Sequence, residues 1–336
     1  MVVVGHQPTF FHPGILAKFV AASAVAKACN AQLVHLVVDH HIGNVSEINV
    51  PKEQNGFVEI EKRSIATCDG TISLCNQNPL KISKNAPKFA ETLQNCEQNA
   101  AMQIAAATDK LMEPYATVHR RIAATELLET TFGIELLEKM FANPVLCTNA
   151  YNNAIKAFPH CGIPFLAEDE LPLWHGPRNN QVTTQRTDLR PRALLLTLLV
   201  RLGLGDLFVH GTGGASYDLV MEHWCRNWLD VELCPQVMAT ATVKLSYDIK
   251  TIEEARKKYF SGDGVKKQAF LNTIRSLPRS SPQRRIAYIE MQRWIASCNE
   301  KPNHAAILAS MRVARKRDWA FPLYTPQQLL AITTDL

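Results

Sequence analysis

The first fifty residues alternate between two apolar runs and two polar clusters. Short runs rich in valine and leucine at residues 2–4 and 33–38 predict buried β-strands. Between them, residues 15–26 place apolar side chains at helical spacing and predict a helix packed on a sheet. Polar residues follow each predicted strand directly, at 5–8 and 39–44. Because a strand, helix, strand unit makes its strands parallel, both polar clusters should leave the same edge of the sheet.

The carboxyl-terminal edge of such a sheet is where open α/β proteins bind their ligands. Imidazoles and a carboxylate at this edge can stabilise developing charge or exchange protons. The candidate catalytic residues are His6, His12, Asp39 and His40. The candidate ligand-binding residues are Gln7, Gly14, Lys18, His41 and Asn44. The alternatives are that His6 and His12 bond the loop backbone and that the residues at 39–41 cap the next segment. For Lys18, one turn into the helix, a solvated position is favoured.

A second strand, glycine turn and helix follows in the other half of the chain. Residues 207–210 predict a short strand, and residues 215–229 predict a helix. The glycine turn between them lets backbone amides approach a ligand, and the helix N-terminus offers N–H groups to an anion. The ligand-binding candidates here are Arg190, Arg192, His210, Gly211, Gly213, Gly214, Tyr217 and Asp218. The alternatives are a plain tight turn, a surface helix start at the two arginines, and a first helical turn completed by the tyrosine and aspartate.

Composition shifts along the chain predict its organisation. We expect a sheet domain over residues 1–250, with a helical insertion at about 86–142, and a helical C-terminal region over 251–336. Prolines punctuate residues 143–192, which predicts either a lid or a connection around the sheet.

Local patterns inside these segments predict further elements. A hairpin should turn at Asp69-Gly70, and an apolar tail at 321–324 should tuck back onto the core. Helices of the insertion are predicted at 88–112, 115–131 and 134–141. Helices of the C-terminal region are predicted at 252–260, 266–276, 283–299 and 304–317.

The overall composition is that of an ordinary globular protein, with 46% hydrophobic and 20% charged residues. The formal charge is +5, and basic residues gather only in the last quarter, where solvated helix faces are favoured over nucleic-acid binding. No window has the length of a membrane span, so no membrane partner is expected. Nine cysteines without short repeated spacing predict reduced thiols in a cytoplasmic protein.

Several motifs together resemble one enzyme family. The chain reads G-H-Q-P-T-F-F-H-P-G at its first turn and V-V-D-H-H-I-G-N-V-S-E-I-N after its second predicted strand. It reads L-R-P-R and H-G-T-G-G-A-S-Y-D in its second half. In this order the motifs are similar to G-Q-Q-x-G-L-F-T-G-P, E-D-H-D-x-x-E-x-N, L-R-P and G-G-x-x-E-x-x-Y of the cysteine-adding enzymes of bacillithiol synthesis. The similarity covers roughly the first fifty residues and about sixty residues from Arg186 onward.

The resemblance implies a Rossmann-like (HUP-type) parallel sheet related to class I aminoacyl-tRNA synthetases, carrying a helical insertion. It implies amide formation between cysteine and the amino group of a glucosamine-malate conjugate. ATP or ADP is the ligand that such a nucleotidyltransferase-like core would take. Residues His12, Pro13, Gly14 and Ile15 resemble the H-x-G-H signature of class I synthetases, with isoleucine in place of the second histidine. In that signature the histidines stabilise charge on phosphate oxygens.

The leading hypothesis is an α/β ligase or transferase that joins cysteine or another amino acid to an amino-sugar-type acceptor. In it, His6 and His12 stabilise charge, Asp39 or His40 acts as acid or base, and the segment 211–218 holds the second substrate. One alternative is a non-catalytic relative that binds a nucleotide or another small molecule. Another is a His/Asp metal-dependent hydrolase, although neighbouring side chains on an extended segment point apart and predict no metal ligand set. A homodimer is compatible with the apolar helix faces near the C-terminus.

Overall fold

A computed structural model describes residues 1–54, 57–94, 97–245, 263–299 and 304–334. The chain divides into two compact units. The first unit consists of Met1–Ile48, Arg63–Val243 and Asp318–Leu336, and the second consists of Asn49–Lys62 and Lys244–Arg317. The sequence-based division at residue 250 therefore differs from the observed one, since the last nineteen residues belong with the N-terminal sheet.

The protein is a mixed α/β protein. Its strands are β1 Val2–His6, β2 Leu33–Val37, β3 Glu47–Gln54, β4 Phe57–Ser64, β5 Ala66–Thr67, β6 Lys81–Ile82, β7 Arg120–Ala123, β8 Leu171–His175, β9 Asn180–Val182, β10 Leu189–Pro191, β11 Leu207–His210 and β12 Gln236–Met238. The α-helices of the described residues are α1 Pro13–Ala28, α2 Ala100–Met112, α3 Thr131–Ala142, α4 Pro144–Ala157, α5 Ala193–Leu199, α6 Thr212–Leu229, α7 Asp263–Ser276, α8 Pro282–Asn299, α9 His304–Arg315 and α10 Pro326–Thr334.

A five-stranded parallel sheet forms the centre of the first unit, in the order β12-β11-β1-β2-β7. From β1 the chain adds β2 and then β7 on one side, and later returns to add β11 and β12 on the other side. The order therefore reverses between β1 and β11, which separates the loops that leave these two strands. In open parallel sheets this is where a crevice forms.

Alternate residues of the strands face different helices. Val3 and Phe208 point into a core that also holds Tyr151 of α4 and Trp224 of α6, whose rings lie edge to face at 5.2 Å. On the other face, His35 of β2 meets the Phe19 ring of α1 edge to face at 4.9 Å. Helices on both faces explain why the strands read as continuous apolar runs without alternation.

The predictions made from the strongest apolar patterns are confirmed. The strands predicted at 2–4, 33–38 and 207–210 are β1, β2 and β11, and the helices around them are α1 and α6. The expected apolar tail is also present, because Phe321 is buried and stacks on the Phe11 ring at 5.3 Å. The predicted helices at 266–276, 283–299 and 304–317 are α7, α8 and α9, and the helix predicted at 252–260 lies outside the described residues.

The expected helix at 115–131 is wrong, and residues 86–142 are not an all-helical insertion. Strand β7 occupies the middle of that helix and pairs in parallel with β2 at the edge of the sheet. Pairing buries Ile122 and Ala123, so tertiary contacts override the local helical pattern. Gly133 lies in the first turn of α3, where an added Cβ would come within 2.1 Å of the Leu127 carbonyl oxygen.

Two further expectations about local structure are corrected. The hairpin at Asp69-Gly70 does not form, because β5 pairs in antiparallel fashion with β6 instead. At the expected turn, the Asp69 carboxylate accepts a hydrogen bond from the Thr71 N–H at 2.8 Å. The loop-rich segment after residue 143 contains α4, which Asn143 caps by accepting from the Leu146 N–H at 3.0 Å. The same segment continues into an antiparallel sheet in the order β10-β8-β9. None of the described helices has both the length and the apolar character that spanning a bilayer requires.

Candidate functional site

A cavity of about 830 Å³ lies in the first unit at the carboxyl ends of β1, β2 and β11. The loop after β1, the loop after β2 and the start of α6 form its polar walls, and the antiparallel sheet supplies Trp174, Asn179 and Pro191. The predicted clusters from the two halves of the chain therefore line one space. Its volume is in the range that small-molecule sites usually have.

Two helix N-termini meet at this cavity. Helix α1 begins after His12, whose Nδ1 atom accepts a hydrogen bond from the Gly14 N–H at 3.1 Å. Helix α6 begins after Gly211, which has no side chain to cap it. The first N–H groups of a helix carry partial positive charge and form a natural anion site. Backbone dipoles from both halves of the chain thus favour a negative group in the same place.

Lys18 reaches the cavity from the first turns of α1. Only 4% of Lys18 is exposed, and its Nζ donates a hydrogen bond to the Gly5 carbonyl oxygen at 2.8 Å. The expectation of a solvated lysine is therefore wrong, since the side chain runs between the end of β1 and Gly211. Burial lowers the pKa of Lys18 to about 8, so most molecules still carry this charge at pH 7.

Five histidines accompany Lys18 around the cavity, and none of the described lining residues is Asp or Glu. They are His6, His12, His40, His41 and His210. Burial and then the Lys18 charge lower the pKa of His6 well below its usual value. Burial also lowers the pKa of His12 and of His41. His6, His12 and His41 are therefore neutral at pH 7 and act as hydrogen-bonding groups beside the buried Lys18.

His210 is held by a buried carboxylate. Its Nε2 lies 2.9 Å from Oδ2 of Asp218, which is itself 1% exposed and lies 3.6 Å from the Arg201 guanidinium. On the other side of the ring, a Cβ added at Gly214 would come within 2.2 Å of Nδ1. Asp218 does not line the cavity, whereas the neighbouring Tyr217 does. The predicted ligand contact of Asp218 is thus corrected to a positioning role for His210.

Asp39 also serves a structural role in this arrangement. Its two carboxylate oxygens accept hydrogen bonds from the Thr125 N–H at 3.1 Å and from the Thr125 hydroxyl at 2.5 Å. Asp39 is buried and does not line the cavity, while its neighbour His40 does. Of the two acid or base candidates on this loop, only His40 can therefore meet a ligand in the cavity directly.

Replacing Asp39 by Ala should reduce the free energy of unfolding by about 2 kcal/mol, because two Thr125 donors lose a charged acceptor. Urea unfolding monitored by circular dichroism measures this change. Thr125→Val should reproduce most of the loss, and the double variant should lose less than the sum of the two. Additive losses would contradict the assigned contact.

Three more predicted ligand-binding residues lie outside the cavity lining. Arg190 is buried and donates to the side chains of Asn76 at 2.6 Å and Asn179 at 3.1 Å. Arg192 pairs with Glu170, and its guanidinium lies 3.7 Å from the centre of the Trp174 ring. The Asn44 side chain accepts from the Ser46 N–H at 2.9 Å. The arginines therefore stabilise the wall that carries Trp174 and Asn179, and Asn44 closes a local turn.

The structure also adds residues that sequence patterns did not single out. They are Trp174, Asn179 and the apolar lining residues Leu36, Val38, Ile42, Pro191, Leu196 and Phe208. In the sheet itself, the Nδ1 atom of buried His35 lies 2.7 Å from the Asp109 carboxylate, which also accepts a hydrogen bond from the Arg121 Nε at 2.5 Å. A histidine inside an otherwise apolar strand run was the available signal for this network.

The chain was compared with protein-family models and with curated proteins. No family model and no curated protein matches it. Within the part of the chain that the structure describes, no three His, Cys, Asp or Glu side chains are placed to hold a metal ion. The function is therefore inferred from the chemistry of the cavity.

Proposed function

We propose that the cavity binds an anionic small molecule, and that the protein is a ligase or transferase acting on it. The observation that carries this proposal is the composition of the wall: a buried lysine, five imidazoles and two helix N-termini, with no Asp or Glu among the described lining residues. A phosphate or carboxylate is the group that satisfies these donors together. A cation would meet the Lys18 charge there, and no carboxylate of the described lining residues would offset it.

Nucleotide phosphates are the preferred anion. The reversal of strand order between β1 and β11 supports a Rossmann-like, HUP-type core, in which nucleotides bind at the switch point. Trp174 and Tyr217 are aromatic residues of the wall that suit a nucleobase or sugar face. In this arrangement Lys18, at the N-terminal ends of α1 and α6, would hold the phosphates of ATP or ADP, while the aromatic side of the cavity would take the rest of the molecule.

The ligase assignment draws on the motifs shared with the bacillithiol cysteine-adding enzymes. The segments that carry them supply His6, His41 and Gly214 to the wall, so the likeness falls on the cavity itself. Forming an amide requires an amine that has lost its proton and an acyl oxygen whose negative charge is stabilised. The carboxyl group would be activated by transfer of AMP from ATP with release of pyrophosphate, and AMP would leave as the amide bond forms. His40 or His210 would accept the amine proton, and Lys18 with His6 would stabilise the acyl oxygen.

A ligand panel tests the proposal through ligand-linked stabilisation. Pyrophosphate, ADP and ATP should raise the melting temperature, with or without magnesium, whereas adenosine should have little effect. Mass spectrometry of mixtures of cysteine, amino sugars and ATP should then reveal an amide product. Equal stabilisation by adenosine, or stabilisation by zinc or manganese alone, would contradict the anion site. Phosphate binding without any product would contradict the ligase assignment alone.

The pH dependence of stability and of binding should have opposite signs. The folded pKa values of His6, His12 and His41 lie below the unfolded value of about 6.5, so they contribute stability that is lost as the pH falls below that value. A bound anion raises the pKa values of these three histidines, so the histidines take up protons when the anion binds. Pyrophosphate affinity should therefore increase on acidification from pH 8 to pH 6, by up to about tenfold per pH unit for each proton bound.

Calorimetry in two buffers with different ionisation enthalpies measures that proton uptake, and melting curves of the free protein measure the stability. Uptake of at least half a proton near pH 7 is the expected result, together with a melting temperature of the free protein that falls below pH 6.5. Proton release on binding would contradict the neutral state assigned to the cavity histidines.

A further inference from the structure

Basic residues concentrate in the helices α7 to α9. Residues 263–317 contain twelve Lys and Arg and three Asp and Glu, a formal charge of +9. The rest of the chain carries −4, since the whole chain carries +5. The sequence alone favours solvated helix faces for this charge. The structure shows in addition a groove that is lined by some of these basic residues.

The groove has a volume of about 710 Å³ and lies at the turn between α7 and α8. Arg279, Arg284 and Arg285 line it together with Tyr288, which is 51% exposed. None of the groove residues that the structure describes is Asp or Glu. An arginine guanidinium can donate two parallel hydrogen bonds to the oxygens of one phosphate. An exposed aromatic ring among such arginines offers a surface on which a base can stack.

The local structure fixes this arrangement. Ser281 caps α8 by accepting from the Arg284 N–H at 3.2 Å, and the Arg284 guanidinium donates to the Leu277 carbonyl oxygen at 3.0 Å. Arg279 and Arg285 are exposed on either side of this capped turn. The turn thus orients one arginine rigidly and leaves two arginines available for a partner.

The pattern on α8 distinguishes between two kinds of anionic partner. Binding to a bilayer surface requires a broad apolar helix face opposite a basic face. On α8, exposed Ile286 and Ile289 alternate with Arg285 and Arg293, so the two classes are not separated. A groove with arginines and an aromatic ring fits a phosphate chain that carries flat bases.

We propose that the second unit binds single-stranded nucleic acid, with the phosphodiester backbone on Arg279, Arg284 and Arg285 and a base stacked on Tyr288. This site is separate from the cavity of the first unit, and the proposal does not depend on the function assigned there. Its ligand class is a phosphodiester strand, in contrast to the small anion proposed for the cavity.

Fluorescence anisotropy of the full-length protein with labelled 20-mers of poly-uridine and poly-deoxythymidine tests the proposal. Affinity should fall linearly with salt on a log–log plot. Arg279→Ala/Arg285→Ala should reduce that slope by about 1.4, as two lost contacts to a single strand require. Tyr288→Ala should weaken binding about fivefold or more, with a smaller change in the slope.

A matched control removes the same charge elsewhere in the same unit. Lys266 and Lys267 are exposed on α7 and do not line the groove, so Lys266→Ala/Lys267→Ala should change affinity less than threefold. Circular dichroism should give the same helix content for each variant. Equal losses in the two double variants would overturn the groove as the site. Binding to phosphatidylserine vesicles but not to either 20-mer at 50 mM salt would overturn the proposal as a whole.

Discussion

Replacing Lys18 by Met should weaken pyrophosphate and ATP binding by about 10- to 100-fold, because a charge-assisted hydrogen bond to the anion is lost. The protein should nevertheless remain as stable or become more stable. The Nζ group is charged and buried, and its lowered pKa shows that the fold disfavours that charge in the absence of a ligand. Isothermal titration calorimetry measures the affinity, and urea unfolding measures the stability.

Lys27 provides the matched control, since it lies on the same helix and is exposed. Lys27→Met removes the same charge at a distance from the cavity and should leave affinity within about twofold of the unmodified protein. A large loss of stability in Lys18→Met with unchanged affinity would mean that the lysine only supports the end of β1. That outcome would remove the main cation from the proposed site.

A pair of neighbouring glycine substitutions should give opposite results. Gly214→Ala places a methyl group within 2.2 Å of the His210 ring, so the ring must leave its position beside Asp218. We expect a loss of about 1–3 kcal/mol in stability from this overpacking, together with loss of measurable turnover or of most ligand affinity. Gly213→Ala has open space around the new methyl group and should stabilise α6 by up to about 1 kcal/mol.

The two glycines differ by one position in the same helical turn, so the comparison separates backbone flexibility from side-chain clearance. If both alanine variants lose binding equally, the turn requires glycine for its backbone conformation, and the role assigned to His210 is wrong. The chemical shifts of the His210 ring, followed by NMR, report directly whether it has moved in each variant.

Sequence patterns predict those strands and helices whose own residues carry the signal. Strands β1, β2 and β11 are short apolar runs that stop at polar or glycine residues, and parallel pairing then brings their ends together. Strand β7 lacks such a signal, since Arg120 and Arg121 open it. It forms a strand because its backbone pairs with the edge of β2. The residues of β7 alone do not predict that pairing.

The roles of individual site residues depend on partners that lie far along the chain. Asp39 reads as catalytic beside His40, yet its partner Thr125 lies 86 residues away. Arg190 contacts Asn76, which is 114 residues distant. The burial of Lys18 follows from the pattern of α1, which buries residues on all sides and has no wide polar face to place a lysine in solvent.

The most direct test of the anion site is diffraction from crystals soaked in tungstate, a phosphate mimic with strong anomalous scattering. We predict a peak between the N-termini of α1 and α6, within hydrogen-bonding distance of Lys18 Nζ. The peak should disappear in crystals of Lys18→Met and persist in those of Lys27→Met. A cavity without tungstate, at a concentration that raises the melting temperature in solution, would contradict the account.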